Sequence, residues 1–122
     1  MAGTVILIDD EIISNVVARE VLRRRRPDVK VHDFLSAESA LAFLDTQLTQ
    51  LEKPVTLFLD INMPEMNGFQ FMDEFIKRGM DLHSRVCLLT SSLNERDQSR
   101  SQSYRAIQGF YIKPFRIDYL GV

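Results

Sequence analysis

Short apolar segments of strand length alternate along this chain with longer stretches that repeat at helical spacing, and this alternation limits the fold more than any other feature. Thr4–Ile8 (TVILI), Val55–Leu59 (VTLFL) and Arg85–Thr90 (RVCLLT) read as buried strands. Lys30–Phe34 (KVHDF) is more polar and reads as an edge strand, while Phe110–Ile112 (FYI) reads as a short fifth. A first helix is expected over 12–25, with Ile13, Val17 and Val21 as its core stripe and Ala18 and Leu22 beside it. Ser36 stands where it would cap a second helix carrying Ala40, Leu41, Leu44, Leu48 and Leu51. A third helix is expected over about 68–78, with Phe69, Met72, Phe75 and Ile76 on one face. The segment 94–108 (NERDQSRSQSYRAIQ) has few apolar residues, so a helix there would be weakly anchored.

Strands alternating with helices imply a parallel sheet covered on both faces, because each crossover is right-handed and carries its helix to one face. The expected class is α/β, a doubly wound five-stranded parallel sheet of order 2-1-3-4-5. No linker or repeat divides residues 1–122, which read as one domain. In that order the chain reverses direction of winding between strands one and three. Ligands bind beyond the carboxyl ends of the strands at such a point.

Composition excludes several classes. A 45% hydrophobic content suits a globular protein, and no apolar run approaches the length of a membrane span. The start MAGTVILIDD lacks a basic region and does not read as a signal peptide. One cysteine, Cys87, rules out an internal disulfide and fits a reducing cytoplasm. The net charge of −2 gives no reason to expect direct nucleic-acid binding. The run Arg23–Arg26 precedes Pro27 at an expected helix end, where cations complement the helix dipole. His32 and His83 are too isolated for a metal or catalytic site, and Cys87, Met63 and Met66 read as packing residues.

Asp9 and Asp10 follow the first strand and Asp60 ends the third, so the expected order brings all three acids to one crevice. A single such acid reads as a helix cap (Asp10) or a turn residue (Asp60). Converging carboxylates repel, and a divalent cation relieves that repulsion. Oxygen donors without His or Cys suit a hard ion such as Mg²⁺. The Asn62 carbonyl stands to add another oxygen, Pro64 to stiffen the loop, and Gly68 to turn it into the third helix. Thr90 closes the fourth strand and Lys113 the fifth, which adds a hydroxyl and an ammonium suited to a phosphoryl group. A carboxylate that the metal does not saturate would then be the nucleophile. Asp60 is expected to be ionised at neutral pH.

The motifs LIDDE, LDINMPEMNG, LLTSS and GFYIKPF, in this order and spacing, resemble the receiver domain of two-component response regulators. The resemblance runs from about Thr4 to Phe115 and implies a flavodoxin-like fold. It further implies that Asp60 accepts a phosphoryl group from a phosphohistidine on a sensor histidine kinase or histidine phosphotransfer protein. By position, Asp10, Asp60 and the Asn62 carbonyl would bind Mg²⁺ directly, and Asp9 through water. Lys113 matches the phosphate-binding lysine, Thr90 the hydroxyl that moves onto the phosphoryl oxygens, and Phe110 the aromatic that swings inward. Tyr111 rivals Phe110 only if the strand register is off by one. Asn62 and Ser92 would tune the lifetime of the phosphorylated form. The Lys113–Pro114 bond would be cis. Such a chain is a phosphoacceptor that assists its own phosphorylation and slow dephosphorylation rather than an enzyme. Ile12 and Val16 read equally as a patch for the phosphodonor or as part of a wide core face.

Receiver domains normally end in a full fifth helix, whereas only residues 114–122 follow Lys113, so either that helix is a stub or the chain is cut from something longer. That leaves open the dimerisation and output role of this end of the fold. Two other functions compete: a Mg²⁺-dependent phosphatase with Asp60 as nucleophile, and an inert interaction domain. The first wants a second Asp two residues on, where this chain has Asn62. The second leaves a full set of binding groups without a purpose. A dinucleotide-binding reading fails for want of a Gly-rich turn after the first strand.

Overall fold

The computed structural model describes residues 3–92 and 94–121. Its elements run β1 (Thr4–Ile8), α1 (Ile12–Arg25), β2 (Lys30–Phe34), α2 (Ala37–Gln47), β3 (Val55–Leu59), α3 (Gly68–Lys77), β4 (Arg85–Thr90), α4 (Glu95–Ser101) and β5 (Ile107–Ile112). The strands form one parallel sheet in the order β2-β1-β3-β4-β5. The expected α/β doubly wound topology is therefore present, with polar β2 at an edge.

Side-chain alternation along the strands divides the core into two layers. Ile6, Ile8, Leu57, Leu59, Val86 and Leu88 face one way, against Leu41 and Leu44 of α2 and Phe69, Met72 and Phe75 of α3. Val5, Leu7, Phe58, Cys87 and Leu89 face the other, against Ala18 and Leu22 of α1 and Phe115 and Leu120 near the C-terminal end. Ser36 caps α2 as expected, its hydroxyl accepting the Ser39 N–H at 3.1 Å.

Several sequence expectations need correction. The buried stripe of α1 is Asn15, Ala18 and Leu22, whereas Ile13 is 73% and Val17 37% exposed. After β5 the backbone makes only a 3-10 turn, Ile117–Leu120. Ile13 and Val17 line an open groove with Leu89, Pro114 and Phe115. On α3, Phe71 is fully buried and Ile76 is 38% exposed, the reverse of a stripe that includes Ile76. Strand β5 begins at Ile107 rather than Phe110, with a register irregularity opposite Val86 and Cys87. Arg23, Arg24 and Arg25 are solvated, the first two pairing with Glu20, while half-buried Arg26 pairs with Asp28.

Candidate functional site

The sheet's backbone ladder extends one residue past the strands and thereby aims the acids. Asp9 N–H donates to the Phe34 carbonyl at 3.0 Å, and Asp60 N–H to the Ile8 carbonyl at 2.9 Å. Across the sheet, Lys113 N–H donates to the Thr90 carbonyl at 2.7 Å. Each side chain named from sequence thus leaves the carboxyl edge at a height set by strand pairing. Carboxylate oxygens of Asp9, Asp10 and Asp60 lie within 4.8 Å of one another. Asp9 and Asp60 are buried and Asp10 is exposed.

Lys113 reaches into this cluster. Its Nζ lies 2.7 Å from Asp9 Oδ2, 2.9 Å from Glu11 Oε1 and 3.7 Å from Asp60 Oδ2. Burial pulls the ammonium down, but hydrogen bonds to Asp9 and Glu11 and the charge of Asp60 outweigh it, so its pKa stands above the ordinary lysine value. Asp60 moves far. Burial first, and then the Asp9 charge, push its carboxyl up to about 7, with Lys113 and the Asn62 N–H acting the other way. Burial beside a second acid thus raises the pH at which Asp60 ionises above that of an ordinary carboxyl. Such a donor set, all oxygen, crowded and short of positive charge, fits a hard divalent cation.

Thr90 is buried and its hydroxyl accepts the Ser92 N–H at 3.5 Å, while Ser92 itself is exposed. Register puts the two candidate aromatics on opposite faces of the sheet. Phe110 pairs with Leu88 and so shares a sheet face with Leu88 and Thr90, half-buried against the α3 layer. Tyr111 pairs with Leu89 on the opposite face, where its ring stacks on Tyr119 at 4.2 Å. The Lys113–Pro114 peptide is cis.

Comparison with known proteins matches this geometry to a family. The sequence profile of the response regulator receiver domain fits residues 5–121. The chain belongs to the response regulator receiver domain family. A two-component response regulator from Cytophaga hutchinsonii is similar to it at 31% identity, with a TM-score of 0.85 over 96% of this chain and 90% of that one. The chemotaxis protein CheY4 of Vibrio cholerae shares the fold at 21% identity, with a TM-score of 0.76 over 98% of this chain and 93% of that one. The cyclic di-GMP phosphodiesterase response regulator RpfG of Xanthomonas campestris is 25% identical over 113 residues. That match takes in 92% of this chain but only 28% of the relative's length. Among the described residues no helix is long and apolar enough to cross a membrane.

Within this receiver domain some contributors escaped sequence reasoning. Buried Asn15 donates from Nδ2 to the carbonyls of Asp9, at 3.2 Å, and Phe34, at 3.3 Å, tying together the ends of β1 and β2. A polar residue in phase with Ala18 and Leu22 was its signal. Glu11 is a second such contributor, its Oε1 accepting from Lys113 Nζ at 2.9 Å. Asp10 caps nothing in α1; the Glu11 N–H is instead accepted by Asp9 Oδ1 at 2.9 Å. Gly68 has a reason other than the turning freedom expected of it, because a Cβ there would meet the backbone of Asp60. Asn67 makes the turn into α3, with a capping box to Gln70.

Proposed function

We propose that this receiver domain is a phosphorylatable signalling module whose acceptor is Asp60. The observation that carries the reading is the meeting of Asp9, Asp10 and Asp60 within 4.8 Å, with Lys113 among them. A histidine kinase or histidine phosphotransfer protein presents the phosphohistidine. An Asp60 carboxylate oxygen forms the new P–O bond while the P–N bond breaks, and the imidazole keeps that electron pair and takes up a proton. Asp10, Asp60 and the Asn62 carbonyl, with Asp9 through water, would hold Mg²⁺, which would supply positive charge against the phosphoryl oxygens. Lys113 neutralises a further oxygen, and Thr90 donates its hydroxyl to another. The space Thr90 vacates admits Phe110, which turns a local charge into a changed surface near α4. Asn62 and Ser92 stand beside the path of a hydrolytic water and set the lifetime. The exposed apolar residues Ile12, Ile13, Val16 and Val17, next to the acids, offer the donor protein a docking face.

Incubation with Mg²⁺ and acetyl phosphate tests the reading. Intact mass should show a single added phosphoryl group, absent in Asp60→Asn. Steady turnover of phosphomonoesters without accumulation would identify a phosphatase instead, and absence of any adduct would identify an inert domain.

A further inference from the structure

Glu11 stands at the N-cap of α1, yet its side chain makes no capping hydrogen bond. Its Oε1 accepts from Lys113 Nζ at 2.9 Å, across 102 residues of sequence, and from the Ser14 hydroxyl at 3.4 Å. An ammonium has three protons to give. Here one is directed at Asp9, 2.7 Å away, and one at Glu11, while Asp60 at 3.7 Å lies beyond hydrogen-bond reach. The two anchors differ in kind. Asp9 is buried on the protein side of the lysine, and the Glu11 side chain is 62% exposed on the water side. An anion arriving on Asp60 draws Lys113 towards itself, and Glu11 is the partner it must leave.

We propose that Glu11 is a positioning residue that holds the Lys113 ammonium back from Asp60 and thereby slows phosphorylation of the pocket. The inference rests on the phosphoacceptor reading given above. Exposed ion pairs are weak, so the brake is a modest one, about two- to fivefold in rate. The Glu11 charge also lies near the entry of an anionic donor, and simple repulsion would slow the reaction without involving the lysine. A double-mutant cycle separates the two routes.

Rate constants for phosphorylation by acetyl phosphate, at saturating Mg²⁺, are measured for the wild type, Glu11→Gln, Lys113→Gln and the double variant. The expected result is a two- to fivefold gain from Glu11→Gln when Lys113 is present and none in the Lys113→Gln background. An equal gain in both backgrounds, or no gain in either, overturns the proposal. A second measurement is the nitrogen resonance of the Lys113 ammonium in metal-free protein. It should move on Glu11→Gln, and an unmoved resonance overturns the anchor. Should the wild type accept no phosphoryl group, the phosphoacceptor reading fails, and the resonance still decides whether Glu11 holds the lysine.

Discussion

Gly68 packs directly on the backbone of Asp60: a Cβ at position 68 would stand 2.7 Å from the Asp60 carbonyl oxygen and 2.9 Å from the Ile61 Cα. Its own N–H donates to the Ile61 carbonyl at 2.8 Å. The first turn of α3 thus rests against the residue that the site is built around.

Gly68→Ala follows from that contact. Alanine in a helix gains up to about 1 kcal/mol over glycine. Crowding two backbone atoms that cannot rotate away costs about 1–3 kcal/mol. The net result should be a loss of about 0–2 kcal/mol in urea unfolding, accompanied by weaker Mg²⁺ binding because Asp60 is displaced. Unchanged stability with unchanged Mg²⁺ affinity would show that the loop has room to shift.

The raised pKa of Asp60 predicts how metal binding depends on pH. Only the ionised carboxylate serves the cation, and burial and Asp9 keep the proton on up to about pH 7. Mg²⁺ affinity should climb by up to about tenfold per pH unit below 7 and level off above it, with a proton released on binding. Calorimetry in buffers of differing ionisation heat measures that proton directly. The same shift acts on folding. The folded state holds this proton more tightly than the unfolded chain, whose carboxyl has the ordinary value of 3.8. Metal-free stability should therefore fall as pH rises from about 4 to about 7 and then flatten, and Mg²⁺ should offset the loss.

Helix α1 carries two kinds of apolar residue, which mutation should tell apart. Leu22 is fully buried and Ile13 is 73% exposed. Leu22→Ala should cost about 2–5 kcal/mol, whereas Ile13→Ala should cost less than about 0.5 kcal/mol. Ile13→Ala should slow transfer from a phosphohistidine protein more than it slows transfer from acetyl phosphate. Equal effects on both donors would remove Ile13 from the docking face.

The segment after β4 is better fastened than its composition implies. Tyr104 stacks on Phe69 at 5.8 Å and its hydroxyl donates to Asp73 at 2.8 Å, while Arg100 lies 4.4 Å over the same Phe69 ring. Tyr104→Phe keeps the stack and loses a hydrogen bond near the surface, at a cost of about 0.5–1 kcal/mol. Tyr104→Ala loses both. Amide exchange over 101–107 should quicken slightly in the first variant and strongly in the second. Equal exchange in the two would mean that the ring contributes nothing to holding α4.

Much of this was legible before any coordinates. Strand and helix periods are carried by neighbouring residues, so β1 to β4 and α1 were placed closely, and the carboxyl-edge positions of Asp9, Asp60, Thr90 and Lys113 followed. The fifth strand reads short in the sequence because Ile107, Gln108 and Gly109 lack the alternating pattern, and only pairing with β4 makes them extended. The α1 stripe differs from its helical spacing for a related reason. Ile13 and Ala18 both satisfy helical spacing, yet only Ala18 lies against the sheet, and which of the two does is a matter of packing.

Local pattern alone established the α/β architecture, the strand order expected of it and the gathering of acids at one sheet edge, since each follows from side-chain period and chain order. Three-dimensional packing decided the rest: which face of α1 is covered, that Phe110 rather than Tyr111 shares the Thr90 face, that Asp60 holds its proton to about 7, and that Lys113 leans on Glu11. Burial, register and charge proximity are relations between distant parts of the chain, and they exist only once those parts are brought together.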